Sequence, residues 1–576
     1  MSEPTLEQRA IIENASGCRI RVVSAVPGSG KTWTVGRAIK HVLGEDPQVH
    51  PGMAVLSFTN VAKDEIDKVL GGRTPSKLFV GTLDAFLYRF VVRPFLPSYF
   101  PECEGTWRLM PQRVGTNLHS ADFEYRIVRK KKHFATVNLF DCTLLKAGVV
   151  ALHPKSRQPV ELTTTEQDAI IDRKFGIWNK HGLLSHGDAA YLAAEILEDE
   201  DCGQHVRDIL VERFPFLVVD ELQDTGESHG RCLRALLVDE RFTAILVGDP
   251  DQSIYEFSGA TPSSFNDFEA LPGATQLPLS ESRRCPRTVC RVASRLSCTE
   301  QTVKPRDDAP DGEVLCVVYD GEADVDAMIR ALPRDARVVV RTNATRKMLL
   351  GRAGPSRISL GSRHLNILHR ATLRILEGST REAIAIASQA VTDACFGLKT
   401  AMDNDALRKH GVTRHRLRGE ALRLLLDCIP EPDETHLEWG GRAHSSLLAA
   451  AARVSGSVPK GIRKPTSKTN GAWAPISDQH SPTAVITTVH GAKGETHATT
   501  VVFIPKSGPT KCPSAQWWDG GEEQRIAFVA CSRASSKLVL CVPEKTHRRL
   551  KKFRSEFLKL FTTKTAKEWT DELRAT

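Results

Sequence analysis

Val22–Thr32 reads V-V-S-A-V-P-G-S-G-K-T, and its reading decides the fold. A short β-branched run enters a Gly-rich turn, and a Lys-Thr pair opens the next helix. This is the layout of a phosphate-binding P-loop. Backbone N–H groups around Gly28, Ser29 and Gly30 would line an anion-sized concavity, aided by the positive end of the helix dipole. Lys31 would reach the β- and γ-phosphates, and the Thr32 hydroxyl would hold Mg²⁺. The first Gly of the strict pattern G-x-x-x-x-G-K-T is replaced by Ala25. Gly-Lys-Thr after a strand is also a common accident, so the rest of the chain must carry the case.

The 576-residue chain has length for three or four domains. It is 41% hydrophobic and 26% charged, and no apolar run reaches the roughly 18 residues of a membrane span. The start, M-S-E-P-T-L-E-Q-R, has no signal-peptide layout, so no membrane association and a cytoplasmic location are expected. The 14 cysteines are scattered without C-x-x-C spacing, which excludes a zinc ribbon, an iron–sulfur cluster or a disulfide framework as the organising principle. A net charge of +9 leans weakly toward a polyanionic partner.

Strands are expected at 19–24, 54–59 and 78–82, each followed by a helix, which indicates a parallel sheet flanked by helices. Gln8, one short helix ahead of the P-loop, is either a solvent-facing residue or an amide that reads adenine. Phe58 stands at a strand's C-terminal tip, where open α/β sheets bind ligands. Residues 91–185 read as a mainly helical insertion, with a basic run at Arg129–His133 that is either a solvated face or a phosphate patch. The sheet resumes at Phe216–Val219 and delivers Asp220 and Glu221 at a strand end. There an ATPase needs one carboxylate in the Mg²⁺ shell and one to polarise water. The strand Ala244–Gly248 leads to Gln252, Tyr255 and Phe257, which would link phosphate sensing to base stacking.

A second α/β lobe begins near Leu279 with Arg283-Arg284 at its entrance, and no second Gly-Lys-Thr follows. Strands are expected at 313–319, 337–341, 484–489, 501–504 and 537–542. Residues 351–455 read as helical and 456–483 as a linker. A basic amphipathic helix over 545–561 would touch phosphates or simply be solvated.

Nine stretches occur in order: Leu6–Arg9 (LEQR), Ala25–Thr32 (AVPGSGKT), Ser57–Ala62 (SFTNVA), Gly81–Phe86 (GTLDAF), Val218–Thr225 (VVDELQDT), Val247–Ala260 (VGDPDQSIYEFSGA), Ser282–Pro286 (SRRCP), Val489–His497 (VHGAKGETH) and Ala530–Leu538 (ACSRASSKL). Together they resemble the UvrD/Rep family of superfamily 1 helicases, in which Ala is common at the position of Ala25. The resemblance implies two RecA-like P-loop domains of α/β class, each with a mainly helical insertion. The implied partition is 1–90 and 186–278 for the first ATP-binding domain, with 91–185 inserted. The second domain takes 279–350 and 481–576, with 351–480 inserted.

One ATP with Mg²⁺ would lie between the lobes, held by Gln8, Ala25, Val26, Pro27, Gly28, Ser29, Gly30, Lys31, Thr32, Trp33, Arg283 and Glu495. Thr32 and Asp220 would serve the metal and Glu221 the attacking water. Gln252 would sense the γ-phosphate, and Arg284 and Arg533 would act as arginine fingers. DNA would meet Phe58, Thr82, Tyr255, Phe257 and His490. The implied activity is ATP-driven 3′-to-5′ movement on single-stranded DNA and unwinding of tailed duplex, in repair, recombination or phage defence. The alternative is a DNA-stimulated ATPase subunit that regulates a partner nuclease. Arg93-Pro94-Phe95 and the short insertions also resemble helicase subunits of antiphage systems.

The chain departs from the family pattern at several places. Trp33 and Arg283 stand where the family often has Arg and Tyr, so the groups flanking adenine would have exchanged sides. Asp84 and Ser258 stand where the family often has His and Arg, displacing two DNA-phosphate contacts. Glu495 lies one place earlier than the usual Glu.

Overall fold

The computed structural model describes residues 3–13, 17–44, 52–57, 78–103, 107–109, 123–129, 132–153, 159–254, 263–353, 360, 362–376, 380–397, 407, 410–431, 434–459, 461–466, 484–506 and 520–575. They form two compact units. The first holds two six-stranded sheets. Its first sheet is built from β1 (Ile20–Ala25), β2 (Met53–Ser57), β3 (Leu78–Thr82), β4 (Phe216–Val219), β5 (Thr243–Gly248) and β6 (Ala274–Leu279), in the order β6-β1-β5-β4-β2-β3. Every pairing is parallel. Helices cover both faces of such a sheet, so its central strands are apolar on both sides. Val22, Val23, Val218, Val219, Ile245 and Leu246 are accordingly buried.

The second sheet comprises β7 (Glu313–Tyr319), β8 (Ala336–Val340), β9 (Val485–Thr488), β10 (His497–Phe503), β11 (Ala534–Pro543) and β12 (Thr562–Thr565). Their order is β9-β8-β10-β11-β7-β12, again all parallel. β12 is not expected from the sequence: T-T-K-T has no apolar signal, because it is an edge strand that pairs on one side only. The helix expected over 545–561 is two pieces, Glu544–Phe553 and Ser555–Leu558, because Arg554 leaves helical geometry at φ −138°.

The described part of the 91–185 segment is not mainly helical. It carries helices at Arg93–Tyr99 and Thr164–His181, but also an antiparallel hairpin of Glu124–Arg129 with Lys132–Asn138. A second antiparallel set pairs Cys142–Leu145, Gly148–Leu152 and Pro159–Val160. These strands are so short that their alternation does not stand out from a helical period. Arg129 of the basic run makes a two-pronged contact with Glu166 (2.8 and 3.1 Å), so this arginine holds the insertion together.

Lys174 is almost fully buried in the same region. Its Nζ donates to the carbonyls of Leu139 (2.6 Å) and Cys142 (2.7 Å) and pairs with Asp188 at 2.7 Å. Asp188 in turn closes a capping box with Ser185 at the start of the His186–Glu198 helix.

The second unit contains the helices Arg363–Leu376, Thr380–Phe396, Arg414–Asp427 and His436–Ser455, packed around a core that includes Leu368, Val391, Leu424, Trp439 and Leu447. The expectation of helix here is met, and the indole of Trp439 donates to the Cys428 carbonyl at 2.7 Å.

Removing one partner of a buried ion pair strands the other charge, at a cost of about 3–5 kcal/mol. Lys174→Ala is therefore expected to lower unfolding free energy in urea by about that amount, and Lys174→Met with Asp188→Asn to recover much of it.

Candidate nucleotide site between the two parallel sheets

Parallel strands bring their C-terminal ends to one edge, and three of them build this site. β1 leads into the P-loop, β4 into Asp220-Glu221 and β5 into Asp249. Because β5 lies between β1 and β4, the strands that lead into the P-loop and the carboxylate pair are about 10 Å apart, two strand spacings.

Gly28 and Gly30 both adopt positive φ (77° and 80°), which turns the loop and lets Gly30 cap helix α2 (Lys31–Leu43). A Cβ on Gly28 would lie 2.4 Å from the Arg284 Cβ, so the loop is pressed against the entrance of the second lobe. The Ser282 hydroxyl donates to the Pro27 carbonyl (2.7 Å), and the Arg283 N–H donates to the Gly28 carbonyl (2.9 Å). Val26 packs into the apolar core of the second lobe together with Ile254, while Ala25 is part of the first lobe's core. Ser29 Oγ is buried and has no hydrogen-bond partner, as a group facing a phosphate would be.

Gln8, in α1 (Leu6–Glu13), is buried, not solvent-facing. Its Nε2 donates to the Ser29 carbonyl at 3.0 Å and its Oε1 accepts from the Thr5 N–H at 3.0 Å, so it braces the loop. Trp33 is half-buried, with the Arg37 guanidinium 5.1 Å from its ring centre. Arg283 donates from Nη2 to the Glu3 carbonyl at 3.2 Å.

Asp220 is buried, and its N–H donates to the Leu56 carbonyl at 2.9 Å. Glu221 holds a left-handed backbone (φ 58°), a conformation that costs a non-glycine residue about 1–3 kcal/mol and is retained where function requires it. Gln223 donates to the Glu221 carboxylate. Burial pushes the Glu221 carboxyl up, but Lys31, Lys493, Gln223 and Arg533 together pull it down to about 2. It is therefore ionised at neutral pH. Burial instead pushes Asp249 up to about 7 and Asp224 up to about 6, the latter against the pull of Lys493.

The second lobe reaches across with several donors. Arg533, fully buried, donates from Nη2 to Gln252 Oε1 at 3.2 Å, while Gln252 Nε2 donates to Asp249 at 2.6 Å. Burial and the neighbouring Arg284 lower Arg533 to about 9. Arg284, itself lowered by burial, donates to the Ser532 carbonyl at 3.4 Å. The Arg525 Nε–H donates to the Ser253 carbonyl at 2.7 Å, and His490 Nε2 lies 3.1 Å from the Ile254 carbonyl oxygen. Asp251 accepts from Ser297, from the Cys298 N–H (2.7 Å) and from the Thr299 hydroxyl (2.8 Å), all just past α3 (Arg287–Leu296).

Lys31, Asp220, Glu221, Gln252, Arg284 and Arg533 are thus brought together at the strand ends. Glu495 is half-exposed and pairs with His497 at 2.8 Å. Thr82 accepts from the Ala85 N–H at 3.2 Å and caps a short helix. Asp84 is paired with His229 (2.8 Å) and lies 3.7 Å from His186, which offset the effect of its burial and hold it below the usual carboxylate range. Phe58, Tyr255, Phe257 and Ser258 lie outside the described residues.

Asp224, Lys493 and Arg525 are site residues that the sequence does not single out. Asp224 and Lys493 stand inside the quoted motifs, but a lone Lys or Asp carries no sign of which partner it meets.

Gly28→Ala combines an unfavourable φ with a collision at Arg284. It is expected to weaken binding of a non-hydrolysable ATP analogue at least tenfold in calorimetric titration, about 1.4 kcal/mol.

Residues 5–272 match the UvrD/REP helicase N-terminal domain. The ATP-dependent DNA helicase Rep of Salmonella typhimurium is 26% identical over 266 residues, covering 43% of this chain and 37% of that protein. The ATP-dependent DNA helicase srs2 of Schizosaccharomyces pombe is 23% identical over 310 residues, 50% of this chain and 34% of that protein. An ATP-dependent helicase/nuclease subunit from Lactobacillus helveticus is 30% identical over 147 residues, 24% and 12% respectively. The chain thus spans less than two-fifths of the length of each of these relatives. With a Gly-rich loop at the end of one parallel sheet and a second parallel sheet in the same unit, the chain is similar to UvrD-type helicases, and residues 5–272 carry the match to the UvrD/REP helicase N-terminal domain.

Proposed function

We propose that this chain is an ATP-dependent DNA translocase and helicase that hydrolyses ATP between its two sheets. The observation that carries the reading is the meeting of Glu221, Gln252 and Lys31 from the first lobe with Arg284 and Arg533 from the second. A P-loop kinase has no need of two arginines from a second lobe, whereas a motor has. Its fingers complete the charge stabilisation only while the lobes are together, so hydrolysis reports on closure.

The residues present fit a Mg²⁺–nucleotide. The loop offers two positive-φ glycines and a buried unpartnered Ser29 hydroxyl, and opposite it stands a buried strand-end Asp220. Thr32 and Asp220 would hold Mg²⁺, which when bound neutralises phosphate charge. Glu221 takes the proton of the attacking water. Lys31, Arg284 and Arg533 hold the charge that develops on the transferred group, and Gln252 links that group to Arg533. Trp33 and Arg283 flank the adenine, Gln8 braces the loop beneath it, and Glu495 approaches the ribose.

Single-stranded DNA would cross the sheets' edge, stacking on Phe58, Tyr255 and Phe257 and touching Thr82 and His490. Movement is 3′ to 5′, in repair, recombination or phage defence. The lobes follow the partition 1–90 with 186–278 and 279–350 with 481–576. No described helix is long and apolar enough to cross a membrane. The match to a helicase/nuclease subunit supports a second reading, a DNA-stimulated ATPase that serves a partner nuclease.

ATP hydrolysis and strand displacement on 3′-tailed, 5′-tailed and blunt duplexes test the reading. Lys31→Ala and Glu221→Gln should each reduce DNA-stimulated kcat by at least about 100-fold. Wild-type activity in either variant would refute the site, and a preference for 5′ tails would refute the polarity. ATPase without displacement would favour the nuclease-serving role. Trp33→Ala should raise the KM for ATP several-fold, and an unchanged KM would remove Trp33 from the adenine pocket.

A further inference from the structure

Lys493 follows the short Val489–Ala492 helix of the second lobe, yet its ammonium group ends among first-lobe residues. Its Nζ donates to both carboxylate oxygens of Asp224 (2.6 and 2.8 Å) and to the main-chain carbonyl of Gln252 (3.2 Å). Both side chains are nearly enclosed, at 9% and 6% exposure. Three N–H donors therefore meet three acceptors on two different segments of the first lobe, and a compact ammonium can do this where a planar group cannot.

Those two segments carry the hydrolytic groups. Asp224 ends the single turn Leu222–Asp224 that begins at the left-handed Glu221, and its own N–H donates to the Glu221 carbonyl at 2.9 Å. Gln252 ends the turn after β5 and is held at its side chain by Arg533. The second lobe thus grips Gln252 twice, by Arg533 at the amide and by Lys493 at the backbone. Within the first lobe Gln223 already ties the two turns, donating to the Glu221 carboxylate and accepting from the Asp249 N–H (2.9 Å); Lys493 adds a clasp across the same turns from the second lobe.

We propose that Lys493 is a positioning residue for ATP hydrolysis: through Asp224 and the Gln252 carbonyl it locks the water-orienting and phosphate-sensing turns into one register when the second lobe is docked. The inference rests on the ATPase reading above. Lys493 acts through Asp224 and the Gln252 carbonyl. Its loss leaves the P-loop intact, so binding of ATP is retained while the reacting geometry is lost. A misplacement of about 1 Å at a reacting centre costs on the order of 100-fold in rate.

The test is steady-state ATPase of the full chain, with and without a poly-dT oligonucleotide, for wild type, Lys493→Ala, Lys493→Arg, Asp224→Asn and the Lys493→Met/Asp224→Asn pair. The double variant leaves no buried charge of this pair unpartnered, so it keeps the fold even if Lys493→Ala does not, and thermal melting checks this. Expected is a fall in kcat of about 10- to 100-fold for Lys493→Ala, Asp224→Asn and the double variant, with KM for ATP within about threefold of wild type. Lys493→Arg, which keeps the charge and the Asp224 contact, should recover at least part of kcat. The double variant should be no slower than the slower single variant, as expected of residues acting through one contact.

A folded double variant with wild-type kcat overturns the inference, as does a rise in KM with kcat unchanged. So does weakened poly-dT binding with the DNA-free rate unaltered, which would make Lys493 a DNA contact. A wild-type chain without ATPase activity would instead overturn the ATPase reading itself, and this inference with it.

Discussion

Cations supplied by one lobe and buried against polar groups of the other are the constraint on which the rest of this molecule depends. Arg533, Arg525 and Lys493 all leave the second sheet's framework and end on Gln252, Ser253 and Asp224 of the first. A charge taken out of water is tolerated only where partners replace its hydration, and losing one partner is costly because the other stays behind. The two lobes are therefore linked by contacts that are favourable when complete and poor when partly made. Apolar packing adds to this, since Val26 of the P-loop and Ile254 sit in the core of the second lobe. Full burial of one such side chain contributes about 1.5–3 kcal/mol. The Gly-rich loop is thus packed into both lobes.

The electrostatics of the cleft follow from the same arrangement. Four acidic groups, Asp220, Glu221, Asp224 and Asp249, crowd one edge of the sheet, and burial by itself pushes Glu221, Asp224 and Asp249 up. The cations decide which stay charged. Glu221 sees Lys31, Lys493 and Arg533 and stays ionised, whereas Asp249 is pushed up to about 7 although Lys31 is near. Backbone strain is concentrated at the same place: Glu221 is one of only two non-glycine residues with positive φ among those described.

Much of the fold is legible because parallel strands covered on both faces leave unbroken apolar runs. Strands expected at 78–82, 216–219 and 313–319 coincide with those observed, and most others agree within a residue or two. The first insertion reads wrongly as helical because its hairpin strands are short and only partly buried, so their alternation is faint. Arg129 resembles a phosphate ligand because a run of basic residues does not disclose that Glu166 lies 37 positions later on the adjoining helix. Gln8 is ambiguous between solvent and base in the sequence; it is enclosed, and its amide holds the loop at Ser29.

By itself the sequence determined most strands of the two parallel sheets, the Gly-rich loop at Val22–Thr32 and the chemical groups available at each strand end. These are local properties, written in burial patterns and in the backbone freedom of Gly28 and Gly30. Only the tertiary structure decided which lone charges meet. Lys493 and Asp224 are 269 residues apart, and Arg533 and Gln252 are 281 apart. Their pairing depends on how two separately formed sheets face each other, a relation that no local pattern encodes.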